Sequence, residues 1–265
     1  MSRYCCIALW IIGTLFCRML KAEEVVLYTV HFPPYTIDSK EVPSPTPLEN
    51  DDGLYGLDVD LIRAAYKTQG ISVQYKIMPW SRVMRDIEAG LILGGISCHP
   101  IPERESFAIF SDPVSLSSLA LVTRRDFLSE GSHSLQELKN YKTLVVNGWA
   151  PMNILDANGV GYSLVNEDRQ GLTLLLRRNH DVFMTGKESI AYDANLLGVS
   201  DQLSLYDIKD LEYSYYTVCF SQFYKKARMW RDKLNVGLES IKKSGVSKAI
   251  YASYGIPYPE EGLVK

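Results

Sequence analysis

The stretch PIPERESFAIFSDP, Pro100 to Pro113, sets Arg104 beside Glu103, ahead of a short apolar run and a turn closed by proline. A guanidinium is planar, stays charged near neutral pH and presents its donors as a fork that matches the two oxygens of a carboxylate. Arg104 therefore either grips a carboxylate or pairs with Glu103 or Asp112 at the surface, where an ion pair contributes little. Metal chemistry has no comparable foothold. His31, His99, His133 and His180 are scattered singly, and no clustered cysteines supply ligand spacing. Neither a metal nor any other cofactor is expected.

A chain of 265 residues, 46% hydrophobic and 22% charged, can bury a core as one large or two small domains. Its first 22 residues stand apart: Arg3 gives a positive start, CCIALWIIGTLFC (Cys5 to Cys17) is apolar, and Ala22 precedes Glu23 and Glu24. This is the pattern of a cleavable secretory signal peptide, with an apolar run too short to span a bilayer comfortably. Arg18 and Lys21, close to the cut, keep an uncleaved anchor as the alternative, and bulky Phe16 argues against a lipoprotein cysteine at Cys17. Loss of residues 1–22 removes Arg3, Arg18 and Lys21 and no acid, which leaves 25 basic against 31 acidic residues and a net charge near −6. Such a balance excludes nucleic acid as a partner, because phosphate binding needs a basic face. Cys98 and Cys219 remain; an oxidising compartment permits a bridge, but the sequence leaves open whether they meet.

Apolar runs alternate with amphipathic segments. EVVLYTV from Glu24 reads as a strand, LDVDLIRAAYKTQG from Leu57 as a helix, VQYKIM from Val73 as a strand, WSRVMRDIEAG as a short helix ending at Gly90, and LILGGIS as a third strand. That βαβαβ order favours a parallel sheet. SKEVPSPTPLENDDG, between Thr36 and Tyr55, reads as an exposed loop. The grammar then restarts. Ser134 and Glu137 form a capping-box pattern before LQELKNY, TLVVNG and HDVFMTG read as strands, and KESIAYDANLLG as a helix. YYTVCFS is a further strand, and the next helix places Trp230, Leu234, Leu238 and Ile241 on one face, closed by Gly245.

The order of FPPY (Phe32 to Tyr35), GLDVDL (Gly56 to Leu61), PWSRVMRDIEAG, PERESFAIFSDPV and the closing helix with KKSGVSKAIYASYG resembles the periplasmic solute-binding proteins of amino-acid-type ABC transporters, family 3. The likeness covers essentially the whole chain after residue 22. It implies an α/β, two-lobed, type II periplasmic-binding-protein-like fold with two hinge crossings, near Ser115 to Ala120 and Leu211 to Tyr216. The lobes then comprise 23–116 plus 215–265, and 117–214. The resemblance also implies that Arg104 forks onto a ligand carboxylate, that Ser97 helps hold the same anion, and that the rings of Phe32 and Trp80 flank the ligand. Tyr35 is assigned to core or rim and Arg82 to solvent or an acid. CHPIP, between Ser97 and Glu103, is two residues longer than the commonest family spacing, which alters the arginine's reach.

The second lobe departs most. Trp149, Ala150 and Pro151 stand where the family usually has small hydroxyl residues, and Trp149 is expected to close over an apolar part of the ligand. Gly186, followed by Lys187, aligns with the acid that holds a ligand ammonium in amino-acid binders. Without that carboxylate a buried ammonium goes unpaired, unless Glu188 substitutes by a one-residue slip. Lys187 is either a second anion contact or a solvated residue at a helix start. The resemblance implies a monomeric, non-enzymatic periplasmic protein that traps a small carboxylate-bearing solute, an amino acid or another carboxylate, for an ABC permease. Two alternatives share the scaffold. One is a dehydratase resembling the cyclohexadienyl enzymes, for which Glu188 and His99 are the nearby acid candidates; the other is a sensor that signals to a membrane receptor.

Overall fold

In the computed structural model, residues 23–46, 48, 52–209, 211 and 214–259 are described; the proposed signal segment, 1–22, lies outside them. The chain begins with β1 (Glu23–Thr29), β2 (Ile37–Asp38), β3 (Leu54–Tyr55), α1 (Leu57–Lys67), β4 (Ile71–Ile77), α2 (Trp80–Glu88), β5 (Gly94–Cys98), β6 (Ala108–Phe110) and β7 (Ser115–Ser117). It continues with β8 (Leu119–Arg124), β9 (Thr143–Val146), α3 (Ala150–Ala157), β10 (Tyr162–Val165), α4 (Asp168–Leu176), β11 (Val182–Gly186), α5 (Lys187–Leu196) and β12 (Leu203–Asp207). It returns through β13 (Ser214–Ser221), α6 (Ala227–Lys243) and α7 (Val246–Ser253).

Two sheets result, in the orders β4-β1-β5-β13-β6 and β10-β9-β11-β8-β12. In the first, β1 runs parallel to β4 and β5, as the βαβαβ reading requires, while β13 returns antiparallel to β5 and β6. In the second, β9 is parallel to β10 and β11, and β8 is antiparallel to β11 and β12. The chain passes between the sheets along β7 into β8 and back along β13. These two passages pair with each other, Ser214 opposite Ser117 and Tyr216 opposite Ser115. A two-stranded antiparallel joint of this kind can bend while each lobe keeps its own core.

Each sheet buries its own apolar face. In the first lobe, Leu57, Leu61, Ile62 and Ala65 of α1 pack with Leu27 of β1 and with Trp230, Leu234, Leu238 and Ile241 of α6, the face read from the 3.6-residue spacing. Asp58 and Asp60 sit in the first turn of α1, where the helix dipole favours acids. Gly56 admits no side chain before this helix: its φ is 130°, and a Cβ would lie 2.5 Å from the Tyr35 carbonyl oxygen. The second lobe centres on Val122, Leu144, Val146 and Phe183 on one face of its sheet, and on Leu121, Val145, Val182 and Met184 on the other.

The stretch SKEVPSPTPLENDDG is a loop of exposed and half-buried residues among those described, and β2 and β3 pair at its base, where Ile37, Leu54 and Tyr55 are buried. Two local readings change. LQELKN keeps its capping box but winds as a 3-10 helix. LILGGIS is strand only from Gly94. Helices α3 and α4 had no clear signal, because α3 begins on the Trp-Ala-Pro run and α4 carries Gly171, which is needed where a Cβ would lie 2.4 Å from the Phe183 ring.

Candidate functional site

The ends of the parallel strands supply the site, as is usual for open α/β sheets. A cleft is lined by Phe32 just after β1, Trp80 at the start of α2, Ser97 in β5, Arg104, Trp149 just after β9 and Gly186 at the end of β11. Val30, Ile96, His99, Leu119, Ala150, Pro151 and Tyr216 complete its wall. Six of the seven sequence-predicted site residues thus meet in one place. Lys187 does not: its ammonium reaches Asp207 at 2.7 Å, on the surface. It belongs to the first turn of α5, one residue past the strand end that faces the cleft.

Arg104 lies in the 3-10 turn Pro102–Arg104 and is only 4% exposed. Its Nη1 donates to the His99 carbonyl at 2.8 Å, and its Nη2 crosses to the Gly148 carbonyl of the other lobe at 3.1 Å. Neither expected surface partner engages it. Burial lowers its pKa to about 10; Glu103 pulls the other way but closes no ion pair with it among the described residues. Its Nη1 also lies 3.6 Å from Cys98 Sγ. A buried cation with no acid beside it attracts an anion strongly.

Around it the other polar wall groups are neutral. The His99 imidazole is held at a pKa of about 3, by burial first and by Arg104 second, and its Nε2 meets the Ser117 hydroxyl at 3.1 Å. Burial also pushes the Tyr216 phenol well above its ordinary range. Ser97 has a φ of 54°, a left-handed conformation that costs a non-glycine residue about 1–2 kcal/mol, and its hydroxyl donates to Asp58 Oδ2 at 2.7 Å. Asp58 is fully buried, which raises its pKa to about 7 despite the hydroxyls of Ser115 and Ser97.

The rings form the apolar part of the wall. Phe32 stands edge-on to Trp149 at 4.8 Å and to Tyr216 at 5.6 Å, and Trp80 lies across Gly95, where a Cβ would come within 3.3 Å of its ring. Trp149 comes from the second lobe yet packs on the cores of both. The adjoining Gly148 has a φ of 76°, and a Cβ there would lie 3.1 Å from the Ser81 Cα, so backbone meets backbone across the cleft. Tyr35 stacks on Phe32 and is buried, and its hydroxyl donates to the Leu116 carbonyl and to Glu188. Glu188 also accepts from Ser118 at 2.7 Å; it fastens the joint and is not part of the wall. Arg82 is exposed and pairs with Asp86.

Cys98 and Cys219 form a disulfide with a Cα separation of 5.8 Å, which ties β5 to β13 behind Arg104. Sequence patterns do not reveal Tyr216, Ile96, Leu119 and Val30 as wall residues, and they place His99 near the site only as a candidate acid. The signal available was position: Val30 ends β1's run, and Leu119 and Tyr216 fall in the predicted crossings. Among the described residues no helix is long and apolar enough to cross a membrane, and no three or more His, Cys, Asp or Glu gather in a metal-binding group.

Residues 35–257 match the sequence profile of the bacterial extracellular solute-binding proteins, family 3. No curated protein matches the chain. Among solved structures, a histidine kinase sensor domain with similarity to periplasmic binding proteins superposes with a TM-score of 0.74 at 20% identity, covering 89% of this chain and 98% of that one. The substrate-binding protein of an ABC uptake transporter from Streptococcus pneumoniae, with bound histidine, gives 0.73 at 17% identity, covering 87% and 92%. The arginine-, lysine- and histidine-binding protein ArtJ of Geobacillus stearothermophilus gives 0.73 at 19%, covering 90% and 97%. At these identities the likeness is one of fold.

Proposed function

The chain belongs to the bacterial extracellular solute-binding proteins of family 3, and from that premise we propose that it captures a small carboxylate-bearing solute between its two lobes. The observation that carries this reading is Arg104, buried in the cleft wall and held by two carbonyls and the Cys98 sulfur, with no carboxylate paired to it among the described residues. A carboxylate placed against its fork gains a charge-assisted, two-point contact, and the Gly148 carbonyl that Arg104 holds belongs to the opposite lobe, so the same side chain couples capture to closure.

Binding is favoured over elimination chemistry on the same scaffold. A dehydratase needs a general acid that can give up a proton near neutral pH. His99 is not an imidazolium near neutral pH, because burial holds its pKa at about 3, the Tyr216 phenol is displaced upward, Glu188 is committed to Ser118 and Tyr35, and Asp58, at a pKa of about 7, is fully buried behind Ser97 and outside the wall. The captured solute is proposed to pass to an ABC permease, with residues 1–22 directing export and removed after Ala22. Thermal-shift titration with carboxylic acids and their matched amides tests the reading. The acids should raise the melting temperature and the amides should not, since a ligand bound only by the folded state stabilises it; equal shifts from both series refute a carboxylate site.

A further inference from the structure

Among the described residues the cleft wall holds one cation, Arg104, and no acid. Glu188 is engaged by Ser118 at 2.7 Å and by Tyr35 at 3.2 Å, outside the wall, and Asp58 lies behind Ser97. Tyr216, which also stands edge-on to Phe32, adds a neutral polar rail to the wall: its hydroxyl, and the His99 ring, whose Nε2 meets the buried Ser117 hydroxyl at 3.1 Å. The Tyr216 hydroxyl can donate or accept, so it serves a ligand hydroxyl or a ligand carbonyl equally well. It offers an ammonium no counter-charge. Space reinforces the point, because a Cβ added at Gly186 would lie 3.3 Å from Phe32 Cζ and 3.5 Å from Tyr216 Oη. The side of the cleft where an acid could have been placed is filled by those two rings. Phe32, Trp80, Trp149 and Tyr216 then leave an apolar, aromatic-walled volume for the rest of the ligand.

We propose that the cleft, read as a carboxylate site as above, selects an aromatic hydroxy- or oxo-acid over the corresponding α-amino acid, with Tyr216 the specificity-determining residue. The carboxylate sits on Arg104, the uncharged oxygen on the Tyr216 hydroxyl, which Ser117 and His99 hold from behind, and the ring among the tryptophans and Phe32. A methylated ammonium held by cation–π contacts is disfavoured, since Phe32 is already engaged with Trp149, Tyr35 and Tyr216 and a second cation would join Arg104 without an acid.

Calorimetry with four probes decides between these: 3-phenyllactate, 3-phenylpropionate, L-phenylalanine and glycine betaine. Phenyllactate should bind at least about tenfold tighter than phenylalanine and about tenfold tighter than phenylpropionate. In Tyr216→Phe the ratio of phenyllactate to phenylpropionate affinity should fall to within about threefold. Ser117→Ala, read by the same ratio, stands in if that variant does not fold. Phenylalanine binding as tightly as phenyllactate, betaine binding best, or an unchanged ratio in the variant overturns the proposal. Failure of all four to bind overturns the aromatic class, while the acid-against-amide titration separately judges the carboxylate reading.

Discussion

Arg104→Met separates a binding arginine from a structural one, because the two roles predict opposite balances of stability and affinity. The wild-type side chain makes two charge-assisted bonds, to the His99 and Gly148 carbonyls, worth about 1.5–3 kcal/mol each. Against them stands the burial of an uncompensated cation. A pKa lowered from 12.5 to about 10 corresponds to roughly 3 kcal/mol of preference against the charged form. The methionine restores apolar contact worth about 1.5–3 kcal/mol. It also strands little, because the His99 carbonyl keeps the Ile101 N–H at 3.0 Å. The ligand-free protein should therefore unfold within about 2 kcal/mol of wild type in urea titration. Carboxylate binding should weaken by about 2–4 kcal/mol, a factor of roughly 30 to 1,000 by calorimetry. A variant that loses more than about 3 kcal/mol of stability yet keeps its affinity refutes the argument and makes Arg104 a tie between the lobes.

Two other predictions concern stability. Asp58 and Asp168 are fully buried with pKa values raised from 3.8 to about 7. The folded state therefore holds more protons than the unfolded state between those values, and stability falls as pH rises through that window, by ~3 kcal/mol per carboxyl from pH 5 to pH 8. Asp58→Asn should roughly halve this slope in urea titrations at the two pH values, and an unaltered slope contradicts the assignment. The disulfide joins residues 121 apart, and closing so long a loop is worth about 4–5 kcal/mol in the chain-entropy account. Cys98→Ser with Cys219→Ser should lower the melting temperature by ~10 °C or more, and thiol titration of the denatured, unreduced wild type should find no free thiol at either position.

Much of the frame was legible because it is written in local patterns. The α1 and α6 faces follow from apolar spacing, and Phe32, Trp80, Ser97 and Arg104 sit at strand ends or helix starts that the motif order locates. What escaped depends on pairing across long stretches of chain. Tyr216 enters the wall because β13 runs back beside β7 and β5, with Thr217 opposite Cys98 and Tyr216 opposite Ser115. In YYTVCFS alone it shares a strand face with Val218 and Phe220, both core residues, and so reads as core. His99 was opaque for a related reason. Its role rests on a carbonyl turned toward Arg104 and a ring turned toward Ser117, and neither leaves a trace in residue type.

Gly186 shows most clearly what sequence comparison can and cannot carry. Read along the chain, it is a deficit, a missing acid in a binder of amino acids. Read in space, it is one of three residues that fit together: with no Cβ, it lets Phe32 approach, and Phe32 in turn stands against Tyr216, whose hydroxyl lies 3.5 Å from where that Cβ would be. Restoring an acid there would press on both rings and bury a carboxylate beside two aromatic walls, with its charge compensated only by displacing whatever anion Arg104 attracts. A side chain at Gly186 therefore asks Phe32 to give way by a few tenths of an ångström, while Tyr216 already stands at ordinary contact distance. That crowding, with no acid among the described wall residues, is the reason to look for ligands outside the amino acids.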